Sequence, residues 1–120
     1  MDSFRELIVW QKGMSLVRDV YNSTKSFPKE EVFGLKMQLR RCAVSIPSNI
    51  AEGYGRQHTS EYMRFLQIAR GSLFELITQL EIAASLEYIN EIEDLLKECV
   101  EIARMLNGLI RKLTDYTKKS

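Results

Sequence analysis

Gln38, Arg41, Ser45, Asn49 and Glu52 recur at intervals of three and four residues. On a helix they share one flank, within about 80° of arc. Amides, a guanidinium, a hydroxyl and a carboxylate side by side are the ingredients of a reaction site. Two features of the strip argue otherwise. Acid–base chemistry at neutral pH calls for a tuned group, most often histidine, and none is present here. Ser45 also has no base close to it in sequence, as an activated nucleophile requires. The strip reads instead as a hydrogen-bond network between helices or between subunits, with Arg41 meeting a carboxylate such as Glu75. No catalytic, cofactor-binding or metal-binding residue is expected.

The other reactive types support this. His58 is the single histidine, with no cysteine or carboxylate at ligand spacing, and reads as a loop residue. Cys42 and Cys99 lie on apolar faces without metal-type spacing, so buried free thiols in a reducing cytoplasm are expected. Gly53-Tyr54-Gly55 lacks the lysine and the preceding strand of a phosphate loop. It is expected to end a helix with a glycine in the left-handed conformation.

Helices must position these residues. Leu7, Trp10, Met14, Val17, Tyr21 and Thr24 step by three and four, one face of a first helix. Ser3-x-x-Glu6 offers it a capping box. Phe27-Pro28 ends that segment, and Pro28 suits the first turn of a second helix. Val32, Leu35, Leu39, Cys42 and Ile46 continue the stepping, with Asn49 and Gly53 in register. Pro47 interrupts it, removing a donor and crowding the Ala43 carbonyl at a cost of about 3 kcal/mol. Burying Ile50 returns only ~1.5–3 kcal/mol. Because Ile50 and Gly53 keep the register, a kinked continuation is expected.

Thr59 or Ser60 can cap a third helix, whose seam is Tyr62, Leu66, Ala69, Leu73, Leu76, Leu80 and Ala83. Gly71 within it costs about 1 kcal/mol relative to alanine, which suggests close approach by another helix. Asn90-x-x-Glu93 resembles a further cap, and Ile92, Leu95, Cys99, Ile102, Leu106, Leu109, Leu113 and Tyr116 form the fourth seam. The expectation is an all-α, antiparallel up-down-up-down four-helix bundle, one domain over residues 1–120.

Hydrophobic residues make up 45% and charged residues 28% of the chain, the balance of a folded globular domain rather than a disordered one. No apolar run approaches the ~20 residues of a membrane span, and the start does not read as a signal peptide. Some apolar residues are surplus to one stripe per helix: Phe33, Met37, Val44 and Ala51 on the second helix, Ile68, Phe74 and Ile82 on the third. A second buried face, hence self-association, is the reading.

Net charge is only +1, but it is unevenly spread. Residues 36–70 carry six positive and two negative charges, residues 75–101 one and eight, residues 104–120 five and one. Antiparallel threading gathers Arg56, His58, Arg64, Arg111, Lys112, Lys118 and Lys119 at one end. Glu81, Glu87, Glu91, Glu93 and Asp94 gather at the other, where Glu30 and Glu31 face Lys25 and Lys29. A basic end is the footprint that neutralises phosphates.

With the helices placed, FRELIVWQKGMSLV, FPKEEVFGLKMQLRRCAVSIPSNIAEGYGR and FLQIARGSLFEL resemble the four-helix-bundle family of 23S rRNA intervening-sequence proteins. The similarity covers roughly residues 4–113. It implies an antiparallel bundle assembled as a homopentamer. More distantly the chain is similar to accessory proteins of diversity-generating retroelements, which bind a reverse transcriptase and nucleic acid. The motif residues carried over are Arg40, Arg41, Ser45, Asn49, Glu52, Gly53 and Glu75; the family attaches no known chemistry to them.

Two functional expectations follow. One is a non-enzymatic, oligomeric scaffold that touches RNA or other nucleic acid through Arg40, Arg41 and the basic end. The other is a structural or protein-binding ring with no direct nucleic-acid role. No base-reading motif is present, so nucleic-acid contact would follow shape and charge rather than sequence.

Overall fold

The apolar stepping becomes four α-helices in the computed structural model, which describes residues 3–119. They are α1 (Ile8–Ser23), α2 (Leu35–Tyr54), α3 (Thr59–Ser85) and α4 (Glu93–Lys119), with 3₁₀ turns at Phe4–Glu6 and Lys29–Glu31. Among the described residues there is no strand. The molecule measures 52 × 20 × 20 Å, as helices of about 40 Å lying side by side require.

Cross-helix pairs give the threading. Gly13 lies against Pro47, and Thr24 accepts a hydrogen bond from Arg40. Ser45 meets Ser72, while Gly53 abuts Tyr62 and Phe65. Arg70 meets Asn107, and Thr114 meets Met63. In each case a rising number on one helix faces a falling number on its neighbour. The helices therefore alternate up and down, and the Lys12–Glu101 pair closes α4 against α1.

The core runs along the axis as one cluster. The seams read from α3 and α4 hold through most of their length: Leu66, Ala69, Leu73, Leu76, Leu80 and Ala83 are buried, as are Leu95, Cys99, Ile102 and Leu106, whereas Tyr62, Leu109 and Leu113 are half-buried and Tyr116 is exposed where the bundle ends. On α1 the stripe differs from the one expected. Val9, Gly13, Leu16, Val20 and Thr24 face the axis, whereas Trp10, Met14 and Val17 are half-buried and Tyr21 is exposed. The two stripes lie about 100° apart and both are apolar, so local periodicity does not choose between them.

Pro47 sits inside α2, and the helix continues past it to Tyr54. The proline is buried against Gly13: a Cβ on that glycine would stand 3.4 Å from the Pro47 Cβ. Packing of Pro47, Ile50 and Gly53 together offsets the missing backbone bond. Gly53 does not terminate the helix in a left-handed conformation; among the described residues no glycine has positive φ. Its role is proximity, since a Cβ there would fall 2.7 Å from the Phe65 Cβ. The left-handed residue is Glu87, φ 62°, at the end of α3. There Tyr88 N–H donates to the Ala83 carbonyl and Glu87 N–H to that of Ala84, a Schellman closure.

Helix starts also differ from the caps read in the sequence. Ser3 caps only the first 3₁₀ turn, and extended Leu7 separates it from α1. Pro28 opens a 3₁₀ turn rather than α2, leaving Phe33 85% exposed. The Glu31 carboxylate then accepts from Leu35 N–H at 2.9 Å and from the Tyr88 hydroxyl at 3.1 Å, tying the start of α2 to the segment after α3. His58, not Thr59 or Ser60, precedes the first residue of α3.

Candidate functional site

The polar strip of α2 divides between two partners, Ser72 and Arg56. Asn49 donates to the carbonyl and the hydroxyl of Ser45, at 2.8 and 2.9 Å, and Ser45 meets Ser72 of α3 at 2.8 Å. Asn49 sits four residues on from Ser45, so its amide folds back over the preceding turn. This cluster contains no titratable group and works as a neutral clasp between α2 and α3. Further along, Glu52 pairs with Arg56 at 2.8 Å. At the other side of the clasp the Cys42 thiol donates to Glu75 at 3.6 Å. Burial, then the adjacent Glu75 carboxylate, push Cys42 up to about 11. Cys99 is pushed up to about 12, chiefly by burial. Both thiols stay protonated and unreactive at neutral pH.

Arg41 does not meet Glu75 within the chain. Among the described residues no hydrogen bond or ion pair engages Arg41, which is exposed on the outer side of α2. Arg40 has a role that sequence reasoning missed. Its Nε donates to Thr24 at 3.0 Å, its terminal nitrogen donates to the Tyr21 carbonyl at 3.1 Å, and its guanidinium lies 4.3 Å over the Tyr21 ring. It thus caps the end of α1 from a neighbouring helix, where cations are favoured. Arg40 and Arg41 both lie away from the basic end, toward the top of α1.

The basic end is assembled as the threading requires. Met63 touches Thr114, so Arg64 stands beside the α4 turn that carries Arg111 and Lys112, with Lys118 and Lys119 beyond, near the start of α3. Arg64, Arg111, Lys112, Lys118, Lys119 and His58 are exposed, and among the described residues none forms an ion pair. Arg56 differs: it is held by Glu52 and, at 4.0 Å, by Glu61, with its guanidinium 4.8 Å over Phe65. Arg56 therefore offers little uncompensated charge.

At the opposite end, Asp19 and Asn22 of α1 and Glu91, Asp94 and Glu98 line a polar cleft along the α1–α4 seam. Burial, then the neighbouring Asp19 carboxyl, push Glu98 up to about 7. Among the described residues no group of three or more histidine, cysteine, aspartate or glutamate side chains is arranged to hold a metal ion. No helix among them is long and apolar enough to cross a membrane.

Of the seven surplus apolar residues, Met37 and Ala51 are half-buried and the other five are exposed. Phe33, Val44, Ile68, Phe74 and Ile82 all reach solvent. Beside Val44, the half-buried stripe of α1 forms one wall of a groove: Trp10, Met14 and Val17 face Val44, Pro47 and Ala51. Above it Tyr21, Val32 and Met37 continue the apolar surface, rimmed by Lys36, Arg40 and Arg41.

Comparison with curated proteins finds no match. A family model described as 23S rRNA-intervening sequence protein matches residues 5–108, which take in all of α1, α2 and α3, the Ser45–Asn49–Ser72 clasp and most of α4, but stop short of Arg111, Lys112, Lys118 and Lys119. With nearly the whole bundle matched, the chain belongs to the 23S rRNA-intervening sequence protein family.

Proposed function

We propose that this protein is a non-enzymatic, self-associating scaffold whose basic end contacts the phosphates of RNA or another nucleic acid. The observation that carries this is the uncompensated charge at one tip: Arg64, Arg111, Lys112, Lys118 and Lys119 without carboxylate partners, while acidic residues crowd the other tip. Each phosphate neutralised releases counterions, so affinity falls with salt more steeply the more phosphates are engaged. Copies standing side by side would multiply one tip into a basic face. The description of the family names an rRNA segment, which makes structured RNA the first probe.

The test is titration of a structured RNA at low and at physiological salt, with wild type and the Arg111→Glu/Lys112→Glu double variant. The expected result is binding that weakens steeply with salt. In the variant the slope of log affinity against log salt should be shallower by about 0.9 for each phosphate that is no longer neutralised. Binding that ignores salt, or no binding at low salt, overturns the reading.

The apolar groove between α1 and α2 favours a second reading, a protein-binding module without a nucleic-acid role, of the kind the distant likeness to retroelement accessory proteins suggests. A protein partner retained after nuclease treatment favours the module; a partner released by nuclease favours the scaffold.

A further inference from the structure

The seam between α1 and α4 opens at both of its ends. Toward the acidic tip the opening is the polar cleft of Asp19, Asp94 and Glu98. Toward the basic tip it is apolar, a cleft of about 460 Å³ between the segment that leads into α1 and the outer half of α4. Leu7, Ile8 and Val9 form one wall, and Met105, Gly108 and Leu109 form the other. Ile8 is 59% exposed there. Two charged side chains edge the cleft, Glu6 before α1 and Lys112 on α4, and among the described residues neither forms an ion pair. Size and lining are those of a small-ligand site, apolar with a few polar groups at its mouth.

Gly108 is the wall residue that packing within the chain does not explain. Glycine inside a helix is disfavoured against alanine. Gly53 offsets that cost by admitting Phe65 and Tyr62, and Gly13 by admitting Pro47. A Cβ placed on Gly108 would meet no atom within 4 Å. Gly71 is open in the same way on the exposed side of α3, but Gly108 differs in forming part of a cleft. With no side chain there, the helix presents a flat strip against which a planar group can lie. Beyond Gly108 the same face of α4 carries Lys112, Tyr116 and Lys119, at steps of four, four and three. This face climbs ~16 Å toward the tip at ~1.5 Å per residue. Tyr116 is 65% exposed on it, and Asp115 flanks it, one carboxylate beside two lysines.

An apolar slot, a cation, an exposed ring and a second cation in sequence suit one kind of occupant. The lysines call for an anionic chain, and the slot and the ring call for flat apolar groups carried by that chain. Single-stranded nucleic acid has both, since ammonium groups track its phosphates and aromatic rings stack its bases. We propose that this cleft receives an unpaired base of a single-stranded RNA segment, its plane against Gly108 between Ile8 and Leu109. Lys112 and Lys119 take the flanking phosphates, and Tyr116 stacks a neighbouring base. The Glu6 carboxylate accepts hydrogen bonds and donates none, so it meets an N–H on the pairing edge of the base and repels a phosphate. Base inward and backbone outward is the result. Every base carries such an N–H, so the site reads pairing state rather than sequence. The proposal rests on the basic-end contact of the proposed function and names the class of RNA taken there, unpaired segments in preference to duplex, whose stacked bases can enter neither the cleft nor the ring contact.

The test is fluorescence anisotropy at low salt with three labelled probes of one length: a single-stranded oligoribonucleotide, its duplex, and an abasic strand. Wild type, Gly108→Leu and Tyr116→Ala are compared. Wild type should bind the single strand more tightly than the duplex or the abasic strand. Tyr116→Ala should weaken single-strand binding about fivefold or more, the loss of one stacked base. Gly108→Leu, which fills the cleft, should weaken it likewise, and neither variant should alter duplex binding. Leucine is a better helix former than glycine, so Gly108→Leu should melt no lower than wild type and its loss of binding is not unfolding. If wild type binds single strand and duplex alike, or the abasic strand as tightly as the normal one, the base site is overturned and the basic-end contact stands. Single-strand affinity unchanged in either variant overturns the base site in the same way. Binding of none of the probes overturns both readings.

Discussion

Between α2 and α3 the contacts are close and mostly neutral, the Glu75 carboxylate meeting only the Cys42 thiol; between α1 and α4 they are charged and crowded. On the first seam Ser45, Asn49 and Ser72 satisfy one another, and Gly53 brings the helix backbone up to Tyr62 and Phe65. On the second, Glu98 of α4 meets Asp19 of α1 with Asp94 and Glu101 of its own helix nearby, and Lys12 pairs with Glu101 at 3.1 Å. Neutral hydrogen bonds and packing change little with pH or salt, whereas carboxyl groups held together stabilise the proton that one of them keeps. The bundle thus has one seam whose central clasp is indifferent to solution conditions and one that responds to them.

The largest effect that could break this contrast is on the close seam. Gly53→Ala forces a Cβ to within 2.7 Å of the Phe65 Cβ, an atom that cannot swing away as the tip of a flexible side chain would. Over-packing of this kind costs about 1–3 kcal/mol. A clear fall in melting temperature is expected, the same at every pH; an unchanged melting curve would show that the helices are not this close.

The responsive seam is tested by pH. Glu98 is pushed up to about 7 in the folded protein, from an ordinary value of 4.5. The folded state therefore holds a proton that the unfolded chain has already released. The stability that Glu98 contributes is fully present below its unfolded value and is lost as pH rises through about 7. Glu98→Gln should flatten that part of the pH–stability profile and raise the melting temperature of the protein above pH 7. If the profiles of variant and wild type run parallel from pH 4.5 to 8, Glu98 is not the group responsible.

The smallest effect sharpens the comparison. Ser45→Ala removes one hydroxyl from the clasp, at a cost of about 0.5–1.5 kcal/mol. It should lower the melting temperature modestly, without altering how stability varies with pH. A change in pH dependence would mean that the clasp is coupled to a titrating group.

Much of the bundle was legible because α3 and α4 each carry one dominant stripe, so the 3/4 stepping identified their buried residues directly, overreaching only at the open end, where Tyr62, Leu109 and Leu113 are half-buried and Tyr116 is exposed. The α1 face was not legible. Val9, Leu16 and Val20 compete there with Trp10, Met14 and Val17, and only the position of α2 and α4 selects the first set. Arg40 reads as a surface cation in sequence because its acceptors, Thr24 and the Tyr21 carbonyl, lie sixteen and nineteen residues earlier. Gly53 reads as a terminator because the local rule for glycine is a turn, while the residues it admits come from another helix. The basic tip was readable in outline, since threading follows from helix number and short connections; that Arg56 is neutralised by Glu52 and Glu61 was less so.

By itself the sequence determined helical class, helix number, the α3 and α4 seams and the segregation of charge, because each depends on spacing along one chain. Tertiary structure decided which α1 face is buried, how Pro47 is accommodated against Gly13, which arginine caps α1, and that Gly71 and Gly108 are left with nothing beside them. Those outcomes turn on distances between residues remote in sequence, and a periodicity has no means of encoding the direction from which a neighbouring helix arrives.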